Sequence, residues 1–247
     1  MSALAAVDRD VTEGAPIAPA EGPVRGPGRA RYRFTGRAEG DLAVDVEPGA
    51  LAARRRTVVG TDVRDAPWTW LAQVHGRGVV TVTEPGQWAG ARADAAVTAV
   101  PGSPLVVHTA DCAPVVLLAD GVVGVAHAGW RGLVAGVISA TAAAMRDIGA
   151  GSLRAVLGPC IRSPCYPFGA EDLARVSELL GREVEASTAL GAPALDLAAG
   201  VRTALARAGV DHVDDSGACT ACEPGRYFSY RARAEAQRQA AVVWLAP

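Results

Sequence analysis

Short apolar runs, rich in β-branched residues and divided by Gly, Pro and Asp, fill the chain from residue 68 to residue 128. Several runs are continuous and not alternating, which indicates strands that are buried on both faces. Asp120 and Gly121 separate the last two runs, and this pair is typical of a hairpin turn. The pattern therefore predicts strands at residues 68–75, 79–84, 94–100, 104–110, 114–120 and 121–128.

Beyond residue 129 the apolar positions take up a helical period. Within residues 130–151 they recur on one broad face, and Gly149 to Gly151 supply a C-terminal stop, so the pattern predicts a helix there. Strands first, helices later and little regular βαβ alternation predict an α+β fold. The remaining predicted elements are a strand at 153–159, helices at 170–181 and 195–209, the second with Asp196 as its N-cap, and a final strand at 240–246.

The composition of the chain suggests one domain with an N-terminal segment appended to it. Residues 1–28 are rich in Pro, Gly and Ala without a sustained period, which predicts a mostly disordered tail. Residues 29–247 are expected to form a single domain, because this length suits one large core. Half of all residues are hydrophobic but only 5% are aromatic, so we expect a core built mostly from Val, Ala and Leu.

Charge and residue usage exclude several classes of function. A formal net charge of −2 offers no general basic surface for nucleic acid or anionic lipid, which favours a small-molecule partner. No apolar run approaches the roughly 20 residues that span a bilayer, and the first residues do not resemble a signal peptide, so we expect a cytoplasmic protein. The chain contains no Lys and no Asn, which excludes a P-loop lysine, a Schiff-base lysine and a Cys-His-Asn triad.

Three residues whose side chains can bind a metal or act in catalysis lie where predicted strands end in turns. They are His75, Cys112 and His127, which could converge at one rim of a sheet. Spacing alone leaves three alternatives open: a metal site, a Cys/His nucleophilic pair, or buried side chains without chemistry. Two imidazoles and one thiolate suit Zn²⁺, with copper as a competitor, and three ligands leave the open position of a catalytic zinc.

Several sequence motifs occur in an order that resembles one family. The chain contains "QVHG", "DAAVT", "TADCAPVVLL", "AHAGWRGL", "GPCI" with "CYPFG", and "CT" followed by "FSYRAR". In these motifs it is similar to the laccase-domain family, first labelled multicopper polyphenol oxidase and later assigned as zinc-dependent purine nucleoside phosphorylase. The resemblance extends from about residue 68 to the C-terminus, and "TADC" with "HAGWRG" is its most specific part.

The resemblance implies both a fold and an activity. The fold would be a layered α/β/β/α domain, also likened to Cys/His hydrolases, with the metal ligands on His75, Cys112 and His127. The activity would be phosphorolysis of adenosine, inosine and methylthioadenosine, with adenosine deamination as a second reaction, so the small-molecule partners would be purine nucleosides and phosphate. Two alternatives are a metal-free Cys/His hydrolase or deamidase, and a copper-dependent phenol oxidase. The last needs several coppers, whereas one three-ligand site is predicted.

Further residues have two interpretations each under this resemblance. Arg131 either binds phosphate beside a helix N-terminus or pairs with a carboxylate. Asp111 either shuttles a proton or orients one of the two histidines. Ser229 and Arg231, with the Tyr between them, either line a substrate pocket or brace the last strand.

The N-terminal part departs from the family pattern. Arg37 matches the family's Arg, but a second Gly, a Ser and an Asn that relatives usually carry are missing. The affinity for a nucleoside or the choice of nucleoside is therefore expected to differ if this segment closes over the substrate.

The remaining histidines and cysteines are expected to be structural. His108 is predicted to be a satisfied core or edge imidazole, and His212 to be solvated. An odd number of cysteines without an export signal favours reduced thiols. Four of them could form a structural four-thiolate zinc site, although the spacing is wider than usual: Cys160, Cys165, Cys219 and Cys222.

Overall fold

The computed structural model describes residues 24–247 apart from residues 27, 46, 60 and 62. Most of the predicted tail, residues 1–28, therefore lies outside the described residues. The strands are β1 (Val24–Arg25), β2 (Ala30–Phe34), β3 (Thr69–Trp70), β4 (Val79–Val82), β5 (Ala95–Thr98), β6 (Leu105–Thr109), β7 (Ala113–Ala119), β8 (Val122–Ala128), β9 (Arg154–Leu157), β10 (Glu185–Ser187), β11 (Pro193–Leu195), β12 (His212–Asp215) and β13 (Gln239–Leu245). The helices are α1 (Pro48–Val58), α2 (Trp130–Ala135), α3 (Val137–Asp147), α4 (Ala170–Leu180), α5 (Leu197–Arg207) and α6 (Tyr230–Arg233).

Two mixed sheets carry the fold. The first has the strand order β1-β2-β13-β6-β3, and the second has the order β12-β9-β7-β8-β5-β4. The first sheet has a parallel pair at one edge, β6 with β3, and the second has one at each edge, β5 with β4 and β9 with β12. The central pairs are antiparallel. A separate two-stranded ribbon joins β10 to β11.

The sheets and helices form four layers. Val, Leu and Ala side chains from β6 and β13 of the first sheet pack against those from β7 and β8 of the second. Helices α2 to α5 cover the outer face of the second sheet, and α1 covers the outer face of the first. This arrangement confirms the α+β class and the α/β/β/α order. It also explains why β6, β7 and β8 are buried at every residue.

Several predicted elements are confirmed closely. β7 and β8 form the expected hairpin, in which Ala119 pairs with Val122 and Gly121 has a φ of 71°. Helix α5 starts where predicted, and the Asp196 side chain accepts a hydrogen bond from the Ala199 N–H at 2.8 Å. The final strand β13 lies between β2 and β6, so the C-terminal segment completes the first sheet.

The strand predicted at 68–75 is wrong beyond Trp70. The Gln73 side chain takes over the pairing with β6, because its amide donates to the His108 carbonyl and its oxygen accepts from the His108 N–H, both at 2.8 Å. A side chain therefore replaces the backbone ladder. The following residues are free to turn, which places His75 in a loop.

The helix predicted at 130–151 is two helices. Gly136 ends α2 and precedes α3 with a φ of 89° and a ψ of 33°, in the left-handed region that favours glycine. Apolar periodicity continues across this break, so the pattern alone did not reveal it. Seven of the elements above were not predicted from the pattern: β1, β2, α1, β10, β11, β12 and α6.

Candidate metal centre and its cavity

The three predicted metal ligands meet at the junction of the two sheets. The ligand atoms of His75, Cys112 and His127 all lie within 4.8 Å of one another, and we call this group the metal centre. The Cys112 sulfur lies 3.7 Å from Nε2 of His75, and the two imidazole ring centroids are 4.7 Å apart. His75 lies in the loop after β3, Cys112 in the connection from β6 to β7, and His127 near the end of β8. The centre therefore joins both sheets.

A buried carboxylate orients the centre. Asp94 is fully buried, and its Oδ1 lies 2.9 Å from Nδ1 of His127. The same carboxylate accepts hydrogen bonds from the backbone N–H groups of His75 and Gly76 at 2.9 and 2.7 Å. His75 has a φ of 57°, which turns these N–H groups toward one anion. Asp94 thus holds both histidines, and it leaves Nε2 of His127 free to bind a metal.

Electrostatics in the centre favour a thiolate beside a cation. Burial raises the pKa of the Cys112 thiol, but the neighbouring His127 and His75 lower it to about 6 overall. Burial lowers the pKa of His127, but Cys112 and Asp94 raise it to about 9. Burial raises the pKa of Asp94, whereas its bond with His127 and the Gly76 N–H holds that pKa below the ordinary value. A divalent metal ion suits this donor set, because it supplies positive charge where the proton of His127 otherwise does.

A glycine makes room for the three ligands. A Cβ atom on Gly129 would lie 2.8 Å from Cδ2 of His75 and 3.0 Å from the Cys112 sulfur. The φ of Gly129 is −71°, so the backbone itself would accept any residue. The absence of a side chain there is needed for the close approach of the ligands.

The metal centre opens into a cavity of about 650 Å³. This volume lies within the usual range for small-molecule sites. Residues from both sheets and from the segment before α1 line it: Ala43, Val44, Asp45, Leu71, Ala72, Gln73, His75, His108, Thr109, Ala110, Cys112, His127, Tyr230, Ala236 and Arg238. The lining includes part of the N-terminal segment that departs from the family pattern.

Comparison with known proteins shows the family of this chain. A family model described as multi-copper polyphenol oxidoreductase laccase matches residues 32–246. The chain belongs to this family. A relative named purine nucleoside phosphorylase from Streptomyces griseus is 44% identical over 214 residues, which cover 82% of this chain and 85% of the relative. One with that name from Streptomyces coelicolor is 43% identical over 210 residues, covering 82% and 86%.

A solved structure supports the same fold for the laccase family. The crystal structure of a Neisseria meningitidis protein superimposes with a TM-score of 0.79 at 29% sequence identity, and the match covers 91% of this chain and 98% of that one. Among the described residues, no helix is both long enough and apolar enough to cross a bilayer.

In this laccase-family chain, His108 is buried but not satisfied. It is 8% exposed, lines the cavity, and its Nε2 has no hydrogen-bond partner among the described residues. Burial lowers its pKa to about 4, with a further contribution from the Arg55 guanidinium. The expectation of a satisfied imidazole is therefore wrong, and His108 presents a neutral ring beside the metal centre. His212 is largely exposed, as predicted, with its Nε2 near Nη2 of Arg154.

All four predicted substrate contacts lie outside the cavity lining: Arg37, Arg131, Ser229 and Arg231. Arg131 is exposed and stacks on the Trp130 ring at 4.4 Å, and no carboxylate among the described residues pairs with it. Arg37 donates to the Tyr227 carbonyl at 3.2 Å and pairs with Glu235. Arg37 therefore ties the N-terminal segment to the chain on both sides of α6.

Three further predicted residues meet beside Cys112. Asp111 is buried, and its two carboxylate oxygens accept hydrogen bonds from the Thr220 hydroxyl and the Arg231 N–H, both at 2.6 Å. Ser229 caps α6 by accepting from the Ala232 N–H. The Arg231 guanidinium lies 5.2 Å from the Tyr166 ring. The structure thus brings Asp111 to α6, and Asp94 is the carboxylate that contacts His127.

Asp94 and Gly129 were missed as functional residues by the sequence reasoning. Asp94 begins the predicted strand 94–100, where an acidic residue is ordinary. Gly129 was noted only as a turn-former after His127. The signal that could have found Asp94 is an acidic residue at the start of a strand whose neighbours in the sheet end in predicted ligands.

Proposed function

We propose that this chain is a zinc-dependent purine nucleoside phosphorylase acting on adenosine, inosine and methylthioadenosine, with adenosine deamination as a second activity. The observation that carries the proposal is the metal centre at the wall of a cavity of about 650 Å³. That volume suits a nucleoside. The names of the Streptomyces relatives support the same reaction class.

His75, Cys112 and His127 would hold the zinc ion. Two imidazoles and a thiolate match the ligands that zinc prefers, and Asp94 already orients His127 in the way that carboxylates orient zinc-bound histidines. Zn²⁺ would supply a Lewis acid at the cavity wall. Copper can compete for such a donor set, so metal analysis of the purified protein must distinguish the two ions.

The cavity offers groups for each part of a nucleoside and its co-substrate. Tyr230 is 63% exposed and lines the cavity, so its ring can stack on a purine. The unpartnered His108 imidazole can hydrogen-bond the base or the ribose. Arg238 also lines the cavity. Of its three guanidinium nitrogens, only Nη1 has hydrogen-bond partners among the described residues, the carbonyls of residues 235–237. Its remaining N–H groups can bind phosphate.

In phosphorolysis a phosphate oxygen attacks the anomeric carbon of ribose while the bond to the purine nitrogen breaks. The chain's part is to hold the phosphate against that carbon and to keep the base in place, which lowers the entropic cost of the reaction. Arg131 remains a predicted phosphate ligand and would have to swing from Trp130 to reach the anion. Arg37, Ser229 and Arg231 remain predicted substrate residues.

In deamination water adds to the purine carbon and ammonia leaves, so a group must move a proton. Asp111 remains the predicted shuttle. Both of its oxygens already accept hydrogen bonds, so it would have to release Thr220 or the α6 backbone to do so. Adenosine converted to inosine without phosphate would support this second activity.

Product analysis tests the proposal directly. Purified protein incubated with adenosine and phosphate should release adenine and ribose 1-phosphate, and Cys112→Ala should lose turnover together with the metal bound at the metal centre. Cys160→Ala is the matched control, because Cys160 is buried in the core and is not one of the three ligands of the centre, so this variant should retain both metal and turnover. Unchanged adenosine at high enzyme concentration contradicts the proposal.

A second candidate is a metal-free Cys/His hydrolase or deamidase. The contact that favours it is the 3.7 Å distance between the Cys112 sulfur and Nε2 of His75, which also suits a nucleophile beside a base. Metal analysis separates the candidates. Stoichiometric zinc that is present in protein purified without chelators and is lost in Cys112→Ala excludes the hydrolase, and stoichiometric copper at that site would favour an oxidase.

A further inference from the structure

Three cysteines outside the metal centre lie together where two loops meet. The sulfur atoms of Cys165, Cys219 and Cys222 all lie within 4.8 Å of one another, and we call this group the thiol cluster. Cys165 ends a short 3-10 turn, Ser163–Cys165, that follows β9. Cys219 and Cys222 bracket a turn that follows β12. No disulfide joins them, since all three are free thiols.

The backbone around Cys219 favours a thiolate. Burial raises the pKa of its thiol, but N–H groups of Arg162, Cys222 and Ala221 point at the sulfur and hold the pKa below its ordinary value. Cys219 and Cys222 form a C-x2-C turn, and the N–H groups of the second and third residues after Cys219 face its sulfur. Such hydrogen bonds orient a metal ligand and stabilise its negative charge.

The distances suit a thiophilic metal ion. In tetrahedral zinc sites the Zn–S bonds are about 2.3 Å long, which separates the sulfur ligands by about 3.8 Å. The three sulfur atoms of the cluster lie within 4.8 Å of one another, so the ion fits between them. The Cys165 and Cys222 sulfurs are 3.0 Å apart, closer than two zinc-bound sulfurs. Cys222 is exposed, so the metal would bind with its side chain turned further toward solvent.

The fourth cysteine does not join the cluster. Cys160 is fully buried, and burial raises the pKa of its thiol to about 12, so it behaves as a core side chain. Its backbone instead forms an isolated bridge with Cys219 that aligns the two loops. Of the four cysteines that could have formed a four-thiolate site, three therefore lie together and the fourth, Cys160, is part of the core.

We propose that Cys165, Cys219 and Cys222 form a second metal site whose occupant is Zn²⁺. Soft thiolate ligands select zinc over hard cations such as Mg²⁺, and exposure at Cys222 leaves the fourth position to water. The site would tie the loop after β9 to the turn after β12. Thr220, inside that turn, donates to Asp111 at 2.6 Å, so the second zinc would also steady the residue that precedes Cys112.

Metal counting on the full chain tests this site. The protein is prepared with a phosphine reductant, dialysed against Zn²⁺ alone and analysed for zinc per chain. The parent should hold twice as much zinc as Cys222→Ala, and Cys112→Ala should retain the half that belongs to the thiol cluster. Cys160→Ala is the matched control and should bind as much zinc as the parent. Circular dichroism checks that each variant is folded.

Other measurements make the outcome decisive. Cys165→Ala, in the other loop, should lose the same zinc as Cys222→Ala, which covers a variant that fails to fold. Co²⁺ in Cys112→Ala should give a thiolate charge-transfer band that disappears when Cys222 is also replaced. Unchanged zinc in Cys222→Ala and Cys165→Ala overturns the site. So does a Cys165–Cys222 disulfide, seen as the loss of two hydrogens in the intact mass, that persists in the reductant. Turnover is not the readout, so failure here leaves the phosphorylase proposal standing.

Discussion

Gly129 lies against two of the three metal ligands and has an ordinary backbone conformation. Substitution there therefore acts on the metal centre and not on the start of α2. The same residue type caps α4 at Gly169, where φ is −64° and a Cβ would meet nothing within 4 Å. Substitution of Gly129 therefore tests the packing against the metal ligands, whereas substitution of Gly169 tests only the effect of replacing a helix N-cap glycine.

Gly129→Ala should weaken zinc binding by about 10-fold or more, because the new methyl group pushes His75 or Cys112 out of position. Competition with a chromophoric chelator measures the affinity. Gly169→Ala should bind zinc as the parent does. Equal affinity in the two variants would show that the ligands move aside without loss.

His108→Leu should change how stability depends on pH. The folded protein holds His108 neutral down to a pKa of about 4, whereas the unfolded chain takes up a proton below about pH 6.5. Stability therefore falls as the pH drops from 6.5 to 4, by on the order of 3 kcal/mol from this residue. The charged groups that act on the ring are Arg55, Asp41, Arg238 and His127.

Urea unfolding of metal-free protein between pH 4 and pH 7 measures this contribution. The stability of His108→Leu relative to the parent should rise as the pH falls. His212→Leu, which replaces an exposed ring, should follow the parent's pH dependence. A parent and a His108→Leu variant with parallel curves would show that the buried imidazole is protonated in the folded state.

At the scale of elements, the break between α2 and α3 is set by one residue. Gly136 adopts a left-handed conformation, and a Cβ there would meet no atom within 4 Å. The cost of a side chain is therefore purely one of backbone strain. Helix α2 begins directly after Gly129, so this break decides how far the first helix extends from the metal centre.

Gly136→Ala should lower the free energy of unfolding by about 1–2 kcal/mol, since an L-residue is disfavoured in the left-handed region. Gly151→Ala is the control, because that glycine also has open space around it but no positive φ. Thermal or urea unfolding compares the two. A neutral Gly136→Ala would mean that α2 and α3 join into one helix at no cost.

At the scale of the whole molecule, the metal centre connects the two sheets. His75 follows β3 of the first sheet, His127 lies in β8 of the second, and Cys112 lies in the chain that passes between them. A metal bound there holds both sheets in the folded state only. Binding should therefore stabilise the whole domain.

Removal of the metal should lower the melting temperature. Zinc at 100 times its dissociation constant adds about 2.7 kcal/mol of stability. The Cys222→Ala variant isolates the contribution of the metal centre from that of the thiol cluster, and a chelator should still lower its melting temperature. The Cys112→Ala, Cys222→Ala double variant should not respond. A response of equal size in the double variant would contradict the bridging role.

The sequence by itself determined the local parts of this protein. Continuous apolar runs predicted β7 and β8, and helical patterns predicted α4 and α5, because burial is recorded directly in the order of residues. The ligand triad was found from strand ends and motifs. Strand β12, by contrast, is short, polar and partly exposed, so its residues show no pattern of apolar positions from which a strand could be predicted.

Only the tertiary structure decided which residues meet across the fold. Asp94 and His127 are 33 residues apart, and their contact depends on the register of β5 with β8. The thiol cluster depends on two loops brought together by β9 and β12, which selects three cysteines of the four. Local patterns record which face of an element is buried. They do not record which distant element lies against it, and that packing sets the geometry of both sites.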